Sequence, residues 1–313
     1  MTLTELRYIV AVARERHFGR AAEKCFVSQP TLSVAVKKLE DELGVALFER
    51  NSSEVTVTPL GVRIVAQAQR VLEESAAIKE IASAGKDQLA TPLRVGAIYT
   101  VGPYLFPQLI PAVRKVAAKM PLLLQENYTA KLGALLKAGE VDVVILSLPY
   151  ADAGIVTRAL YDEPFRVLLP SKHAWHAKKA IAADQLCSET LLLLGAGNCF
   201  RDQVMQTCAR ASRAQSSHIQ QALEGSSLET IRQMVASGVG ITVLPSTAAE
   251  SRSSASPLVV TRPFAAPAPS RRIALAWRSS FPRPAAVDAL RQAVLACHLP
   301  GVTPLPDARP HTA

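Results

Sequence analysis

Two cysteines, Cys199 and Cys208, stand nine positions apart in the segment LLLLGAGNCFRDQVMQTCAR, residues 191–210. A leucine run typical of a strand meets Gly195-Ala196-Gly197, and we expect a helix to begin at Cys199. Unpaired backbone donors, the helix dipole and the nearby Arg201 would each favour the thiolate form of Cys199. A thiolate with an open approach can attack the O–O bond of a peroxide. The sulfenic acid that results condenses with a second thiol within reach.

The spacing of the pair limits when the two thiols can join. If residues 199–208 form one helix, nine steps separate Cys199 from Cys208 by about 13 Å along the axis and about 180° around it. A disulfide requires Cα atoms within about 7 Å of each other. Either the helix ends early, or oxidation has to unfold and rebuild it. The second option would make the segment a two-state element controlled by a covalent bond.

The remaining candidate groups give no such signal. Cys25, Cys187 and Cys297 are expected to be inert, buried thiols, which is the usual state of a cysteine in a folded domain. His173 and His176 lack nearby cysteines or carboxylates in a metal-binding array, so neither a metal nor a cofactor is expected. The chain also lacks a GxGxxG phosphate loop and a GxSxG nucleophile motif.

Length and composition define the class of protein. The chain has 313 residues, of which 49% are apolar and 19% charged, which excludes a disordered chain and suits two or three domains. Glu5 and Arg7 interrupt any signal-peptide pattern, and three prolines within 95–113 argue against a membrane span. Five cysteines are too few and odd in number for a secreted disulfide framework, so we expect a cytoplasmic protein. The net charge of +9 lies in residues 89–313, because residues 1–88 are neutral.

The N-terminal segment has the pattern of three short helices. The third helix is predicted to bury Leu32, Val36, Leu39 and Leu43. The turn before it and its opposite arc offer small polar groups, a methyl-rich residue and two lysines: Ser28, Gln29, Pro30, Thr31, Ser33, Val34, Lys37 and Lys38. Such an arc suits the major groove of DNA, which presents hydrogen-bonding base edges and thymine methyls between phosphates. A solvated helical bundle with a lysine face is the alternative.

A hairpin and a long helix are expected to follow. Val55 and Val57 alternate with threonines, as in a small two-stranded wing. Thr58-Pro59 begins a helix with an apolar stripe: Leu60, Ile64, Ala68, Val71 and Ile78. On a helix without a neighbour in its own domain, this stripe would serve as a dimerisation seam.

The run FGRAAEKCFVSQPTLSVAVKKLEDELGVALFER, followed by VTVTPLG and the long helix, resembles the winged helix-turn-helix of LysR-type transcriptional regulators. The resemblance implies a dimer that binds double-stranded operator DNA, with the third helix in the major groove and Arg50 of the wing near the backbone. We expect a DNA-binding domain over residues 1–58 and a linker helix for dimerisation over 59–88.

Strand-like and helix-like runs alternate over residues 89–313, which favours parallel sheets covered by helices, an α/β class. We expect two α/β lobes with crossovers near 161–164 and 263–267, and the family resemblance implies the arrangement of a periplasmic binding protein. The expected bounds are 89–163 plus 268–300 for lobe I, 164–267 for lobe II, and a flexible, proline-rich tail over 301–313.

The stretch GNCFRDQVMQTC, with SHIQQALEGSSLETIRQMVASGVGITVLP downstream, is similar to the peroxide-sensing members of the LysR family. This resemblance implies that Cys199 is the peroxidatic and Cys208 the resolving cysteine of a disulfide switch. It implies a homotetramer, RNA polymerase as a partner and control of antioxidant genes. It also implies a site whose residues are the following: Thr100, Thr129, Asn198, Arg201 and Asp202 in the peroxide pocket, with His218 facing the redox region.

Several alternatives stay open. Thr129 could simply cap the helix that contains Lys131, and His218 could be a core histidine. Asn198 departs from the family, which commonly has histidine there, and asparagine carries no charge. Two other classes also compete: a LysR-type regulator of a small anionic metabolite, in which the cysteines are incidental, and a thiol-dependent peroxidase.

Overall fold

The computed structural model describes residues 1–50, 55–84, 88–211, 223–251 and 256–312. The chain forms two compact units, Met1–Lys86 and Asp87–Ala313. The first unit has one hydrophobic core, and the second has two.

The N-terminal unit consists of helices and one hairpin: α1 (Leu3–Glu15), α2 (Phe18–Lys24), α3 (Gln29–Leu43), β1 (Phe48–Arg50), β2 (Val55–Val57) and α4 (Pro59–Ala84). Local sequence explains where α3 begins and ends. Oγ of Ser28 accepts a hydrogen bond from the backbone N–H of Thr31, Pro30 occupies the first turn, and Gly44 ends the helix at φ +69°. Leu32, Val36 and Leu39 are buried as predicted.

Two details of this unit differ from the sequence prediction. Leu43, expected in the core, is 37% exposed because it is the last residue of α3. The long helix α4 does have a neighbour in its own unit, since it packs along α1. Ala68 is buried and Ile64 partly buried in that contact, whereas Val71 and Ile78 stay exposed. The apolar stripe is therefore divided, and only its outer part is open to a partner.

The second unit alternates strands and helices, and a 3-10 helix spans Ala183–Ser188. Its strands are β3 (Leu93–Ile98), β4 (Leu122–Asn127), β5 (Val143–Leu148), β6 (Ile155–Pro170), β7 (Leu191–Leu194), β8 (Leu223–Gly225), β9 (Ile241–Pro245), β10 (Val259–Pro263), β11 (Ser270–Arg278), β12 (Thr303–Pro304) and β13 (Pro310–Thr312). Its helices are α5 (Gly102–Val116), α6 (Thr129–Lys137), α7 (Cys199–Ala211), α8 (Leu228–Ala236), α9 (Ser246–Ala249) and α10 (Pro284–Leu295). Across the described ranges, no helix is both long and apolar enough to span a membrane.

The sheet is mixed, whereas the alternating pattern of the sequence favours parallel sheets. β3 runs parallel to β4 and β5, and β7 runs parallel to β8 and β9. The long strands β6 and β11 are antiparallel to each other and to their other neighbours. β6 contributes Tyr161 to the first core and Phe165 to the second, so the connection expected near 161–164 is itself extended strand.

The tail over 301–313 is not frayed as far as residue 312, so that expectation is wrong. β12 and β13 pair with β6 in antiparallel register. Arg291 donates hydrogen bonds of 2.8 Å to the carbonyls of Leu305 and Pro306, and Arg158 donates one of 2.8 Å to the carbonyl of Ala308. The prolines that prevent a helix here are tolerated on an edge strand, where no backbone donor is required.

The fold brings the residues that follow three strands close together. Thr100 follows β3, Thr129 follows β4, and Cys199 follows β7. In α/β sheets the space beyond the carboxyl ends of parallel strands is where ligands bind.

Candidate functional site

Cys199 is the first residue of α7 and has a free, half-buried thiol. The turn before it depends on Gly197, whose φ of +89° is strained for residues with a side chain. Nδ2 of Asn198 donates a 2.9 Å hydrogen bond to the carbonyl of Gly195, which fixes that turn. The thiol therefore lies where the backbone N–H groups of the first helical turn are directed toward solvent or a ligand.

The cavity beside Cys199 is small. It has room of about 10 Å³, and a single water needs about 10–15 Å³ on the same measure. Its walls come from both lobes: Ile98, Tyr99, Thr100, Asn127, Tyr128, Thr129, Gly197, Asn198, Cys199 and Phe200. The rings of Tyr99 and Tyr128 pack edge to face with centroids 5.2 Å apart. The cavity is therefore water-sized, and Cys199 forms part of its wall.

Thr100 is buried and held by an ionic network. Nη1 of Arg271 donates to Oγ1 of Thr100 at 2.7 Å, and Nη2 donates to the Thr100 carbonyl at 3.0 Å. Nε of the same arginine donates to Glu163 at 2.8 Å, and Glu163 also accepts hydrogen bonds from the hydroxyl and N–H of Thr247. The guanidinium lies 5.2 Å from the ring of Phe200, the neighbour of Cys199. Since both charged side chains are fully buried, this network fixes one wall of the cavity.

Thr129 has the opposite environment. Its Oγ1 is buried, and no hydrogen-bond partner for it exists within the described part of the chain. It does not cap a helix, because Tyr128 occupies the N-cap position of α6 and no side chain caps that end. The helix-cap alternative for Thr129 is therefore wrong. A buried hydroxyl without a partner is costly unless a ligand or water supplies one.

Of the other predicted pocket residues, one lines the cavity and two do not. Asn198 lines the cavity, but Arg201 and Asp202 do not belong to its lining. Nη1 of Arg201 donates to the carbonyl of Leu194 at 2.8 Å, so this residue supports the turn before Cys199. Asp202 is exposed in the first turn of α7, because helical rotation directs it away from the cavity.

The two cysteines of the pair belong to one continuous helix. α7 runs from Cys199 through residue 208, although the side chain of Cys208 lies outside the described residues. Phe200 and Val204 anchor this helix in the second core. The early-ending alternative is thus wrong, and about 13 Å of helical rise separates the two positions. His218 lies outside the described residues.

Hydrogen bonds between the lobes lie next to α7. Nε2 of Gln203 donates to Oγ of Ser147 on β5 at 2.8 Å. The hydroxyl of Tyr104 on α5 donates to Glu229 on α8 at 2.9 Å. Burial, and then the charge of Glu229, raise the pKa of Tyr104 far above its ordinary value, so the phenol remains a donor. A change in α7 would act directly on the Gln203–Ser147 contact.

The remaining thiols differ from Cys199. Burial raises the pKa of Cys297 to about 11, and its Sγ lies 3.2 Å from the carbonyl of Ala293. Burial also raises the pKa of Cys25. Cys187 is half-buried against the second core. No cluster of three His, Cys, Asp or Glu residues suited to a metal is present in the described ranges.

The predicted DNA-reading face belongs to the N-terminal unit and is mostly exposed. Its residues lie on or just before α3, and those in contact with solvent are Ser28, Gln29, Pro30, Thr31, Val34, Lys37 and Lys38. Ser33 is half-buried, and the side chain of Arg50 lies outside the described residues. Lys37 pairs with Asp41 at 2.9 Å and Lys38 with Glu5 at 3.6 Å, so each lysine has an acidic partner.

Arg271 and Glu163 are the site residues that sequence reasoning missed. They are 108 positions apart, and each also resembles an ordinary surface charge at the end of a strand. Their only sequence signal is the pair of adjacent charges at each place, Asp162-Glu163 and Arg271-Arg272. In each pair one member is fully buried, whereas Asp162 is half-buried and Arg272 is exposed.

Both units of the chain match known protein families. Residues 3–62 match a family described as bacterial regulatory helix-turn-helix protein, lysR family, and residues 86–297 match the LysR substrate binding domain. The DNA-binding transcriptional dual regulator OxyR of Escherichia coli K12 is 40% identical over 296 residues, which covers 95% of each chain. A hydrogen peroxide-inducible genes activator of Dickeya chrysanthemi is 42% identical and covers 90% of this chain and 91% of its own.

Solved structures give the same result. Full-length OxyR from Pseudomonas aeruginosa with a cysteine-to-aspartate substitution is 54% identical, with a TM-score of 0.76, and covers 97% of this chain and 98% of its own. A hydrogen-peroxide-bound cysteine mutant of OxyR from Corynebacterium glutamicum is 33% identical, with a TM-score of 0.64, and covers 94% of this chain and 91% of its own.

Proposed function

The chain belongs to the LysR family of bacterial transcriptional regulators, as predicted, and we propose that it responds to hydrogen peroxide through Cys199 and Cys208. The observation that carries this proposal is the cavity. Cys199 and Thr129 both line a space of about 10 Å³, and the buried hydroxyl of Thr129 has no hydrogen-bond partner among the described residues. Hydrogen peroxide, with two heavy atoms, is much closer to the scale of this space than an anionic metabolite with several. The similarity to hydrogen peroxide-inducible activators supports the same conclusion.

The first chemical step is oxidation of Cys199. Its thiolate sulfur attacks one peroxide oxygen, an S–O bond forms, the O–O bond breaks, and hydroxide leaves. The product is a sulfenic acid. Thr129 can donate a hydrogen bond to the peroxide, since its hydroxyl has no other described acceptor. Thr100 holds the opposite wall, because Arg271 occupies its hydroxyl oxygen.

The second step joins the two cysteines. The thiolate of Cys208 attacks the sulfur of the sulfenic acid, an S–S bond forms, the S–O bond breaks and hydroxide leaves, and this hydroxide becomes water by taking up the proton that the Cys208 thiol lost on ionising. Helix α7 holds the positions about 13 Å apart along its axis, beyond the limit of about 7 Å between Cα atoms. The disulfide therefore requires α7 to unwind. Unwinding would withdraw Phe200 and Val204 from the second core and Gln203 from Ser147.

The output of the switch is DNA binding. We propose that α3 enters the major groove, that Gln29 and Thr31 contact base edges, and that Lys37 and Lys38 bind phosphates. The exposed outer part of the α4 stripe fits a dimer contact, and we also propose a tetramer and a contact with RNA polymerase, both of which the family resemblance implies. Membership of a family of transcription factors makes the chain a regulator and not a peroxidase.

The test is DNA footprinting of reduced and peroxide-treated full-length protein, with thiol mass spectrometry on the same samples. Wild-type protein should show a 199–208 disulfide and a changed footprint. Cys199→Ser and Cys208→Ser should lose the disulfide, and Cys199→Ser should also lose the change in footprint. Cys187→Ser is the matched control and should respond as the wild type does. A normal peroxide-dependent footprint in Cys199→Ser would overturn the proposal and favour a metabolite-responsive regulator.

A further inference from the structure

Arg283 ties the start of the regulatory unit to helix α10. Its side chain is buried, and its guanidinium donates four hydrogen bonds to three backbone carbonyls. Nε and Nη2 donate to Gln88 at 3.0 and 2.8 Å, Nη2 also donates to Thr91 at 2.8 Å, and Nη1 donates to Pro92 at 2.9 Å. In return, the side-chain oxygen of Gln88 accepts from the N–H of Ala285 at 3.0 Å, in the first turn of α10.

The chemistry of this contact is specific to arginine. A guanidinium presents five N–H donors in a rigid plane and can therefore hold several carbonyls at fixed angles. A lysine ammonium is a single point on a flexible stem and cannot reproduce that geometry. Hydrogen bonds from a charged donor are also stronger than those between neutral groups. Residues 88–92 are therefore held firmly, although they form an irregular segment.

The position of this contact relates it to the cavity. β3 begins at Leu93, directly after the held segment, and ends at Ile98, two residues before Thr100. β11 begins beside Arg271, which binds Thr100, and ends at Arg278, five residues before Arg283. Both strands pair with β5. Their registers place the end of β3 and the start of β11 on either side of the carboxyl end of β5, the end nearer the cavity. Two strands of one sheet thus join the Arg283 contact to the wall of the cavity.

We propose that Arg283 is a positioning residue that transmits the redox state of the regulatory unit to the DNA-binding unit. Arg283 fixes residues 88–92 to the first lobe. When α7 is displaced against that lobe, residue 88 therefore moves together with the lobe as one rigid body. This inference rests on the proposed peroxide response. Without Arg283, residues 88–92 become a loose tether, and a rearrangement of the lobe no longer sets the direction of the chain that precedes it.

The test uses full-length Arg283→Gln with three measurements after peroxide treatment: disulfide yield, operator affinity, and the difference between reduced and oxidised footprints. We expect a wild-type yield of the 199–208 disulfide, retained DNA binding and loss of the footprint difference. Arg291→Gln is the matched control. Arg291 lies on α10, the helix that Arg283 precedes as its N-cap, and is similarly buried, but it donates to the carbonyls of Leu305 and Pro306. That variant should keep the full redox difference.

The outcomes separate this inference from the proposed function. A wild-type protein without a redox-dependent footprint refutes the proposed function. A wild-type response in Arg283→Gln overturns the inference alone: with faster hydrogen–deuterium exchange at residues 88–92 the held segment is shown not to matter, and with unchanged exchange Arg283 is shown not to hold it. Loss of DNA binding in both redox states also overturns the inference, because the arginine would then serve only the fold. If Arg283→Gln does not fold, Arg283→Lys should show a footprint difference at most half that of the wild type, and a full difference overturns the inference.

Discussion

The two cavity threonines are chemically identical but bonded differently, so their valine variants should affect stability in opposite ways. Valine keeps the shape of threonine and removes only the hydroxyl. Thr100→Val leaves an N–H of the buried Arg271 without its 2.7 Å acceptor, and we expect the free energy of unfolding to fall by about 1.5–3 kcal/mol. Thr129→Val removes a buried hydroxyl that lacks a described partner, so the free energy should be unchanged or rise by up to about 1 kcal/mol.

Oxidation of Cys199 supplies the second measurement. If the Thr129 hydroxyl binds peroxide, its loss removes a neutral hydrogen bond worth about 0.5–1.5 kcal/mol, which slows oxidation about 2- to 10-fold. Stability is measured by denaturant unfolding of the reduced chain through the fluorescence of Trp175 and Trp277, the two tryptophans of the sequence. The oxidation rate is measured by thiol trapping and mass spectrometry in excess peroxide.

Thr242→Val provides the control for both measurements. Thr242 is buried, and its hydroxyl donates to the carbonyl of Leu192 at 2.7 Å, outside the cavity lining. This variant should lose about 1 kcal/mol of stability and keep the wild-type oxidation rate. A Thr129→Val protein destabilised by more than about 1 kcal/mol would show that the hydroxyl has an internal partner. Oxidation of that protein at the wild-type rate would refute a role for this hydroxyl in peroxide binding.

Lys37→Ala and Lys38→Ala should each weaken binding to all DNA sequences and reduce the salt slope by about one; unchanged slopes in titrations from low to high salt would exclude this docking face. The pKa of about 11 for Cys297 leaves about one thiol in a thousand ionised at pH 8, so iodoacetamide should label Cys199 well before Cys297. Alkylation of Cys297 should then rise about tenfold per pH unit up to pH 10, and a flat profile would contradict the burial. Deletion of residues 301–313 removes β12, β13 and carbonyl acceptors used by two arginines. It should cost about 3 kcal/mol or more and expose the edge of β6, as thermal melting and light scattering would show; an unchanged melt would mean that the tail does not stabilise the sheet.

Local pattern predicted the parts of the fold that local physics controls. The spacing of Leu32, Val36 and Leu39 identified the buried side of α3, because helical periodicity alone decides which residues share a face. The glycine turn before Cys199 and the start of a helix there were equally readable. The fold class and the family were predicted from the same runs of residues.

What the sequence did not reveal depends on distant partners. The burial of Arg271 becomes possible only because Glu163, 108 positions away, neutralises it. The tail forms strands only because it can pair with the free edge of β6. The local sequence of the tail does not predict this pairing. The residues that line the cavity were predicted from a family resemblance. The same resemblance also included Asp202, which helical rotation directs to solvent.

The sixteen residues of β6 have a mechanical consequence. The strand passes from one core to the other as a ladder paired with β11 over Ile155–Pro164 and with β10 over Arg166–Pro170. Closure of the two lobes around a metabolite would bend strand β6. It would break backbone hydrogen bonds that are worth about 0.5–1.5 kcal/mol each. Rewinding helix α7 alone does not require any of these hydrogen bonds to break. The architecture therefore suits a signal that is covalent and local over one that is bulky and enclosed.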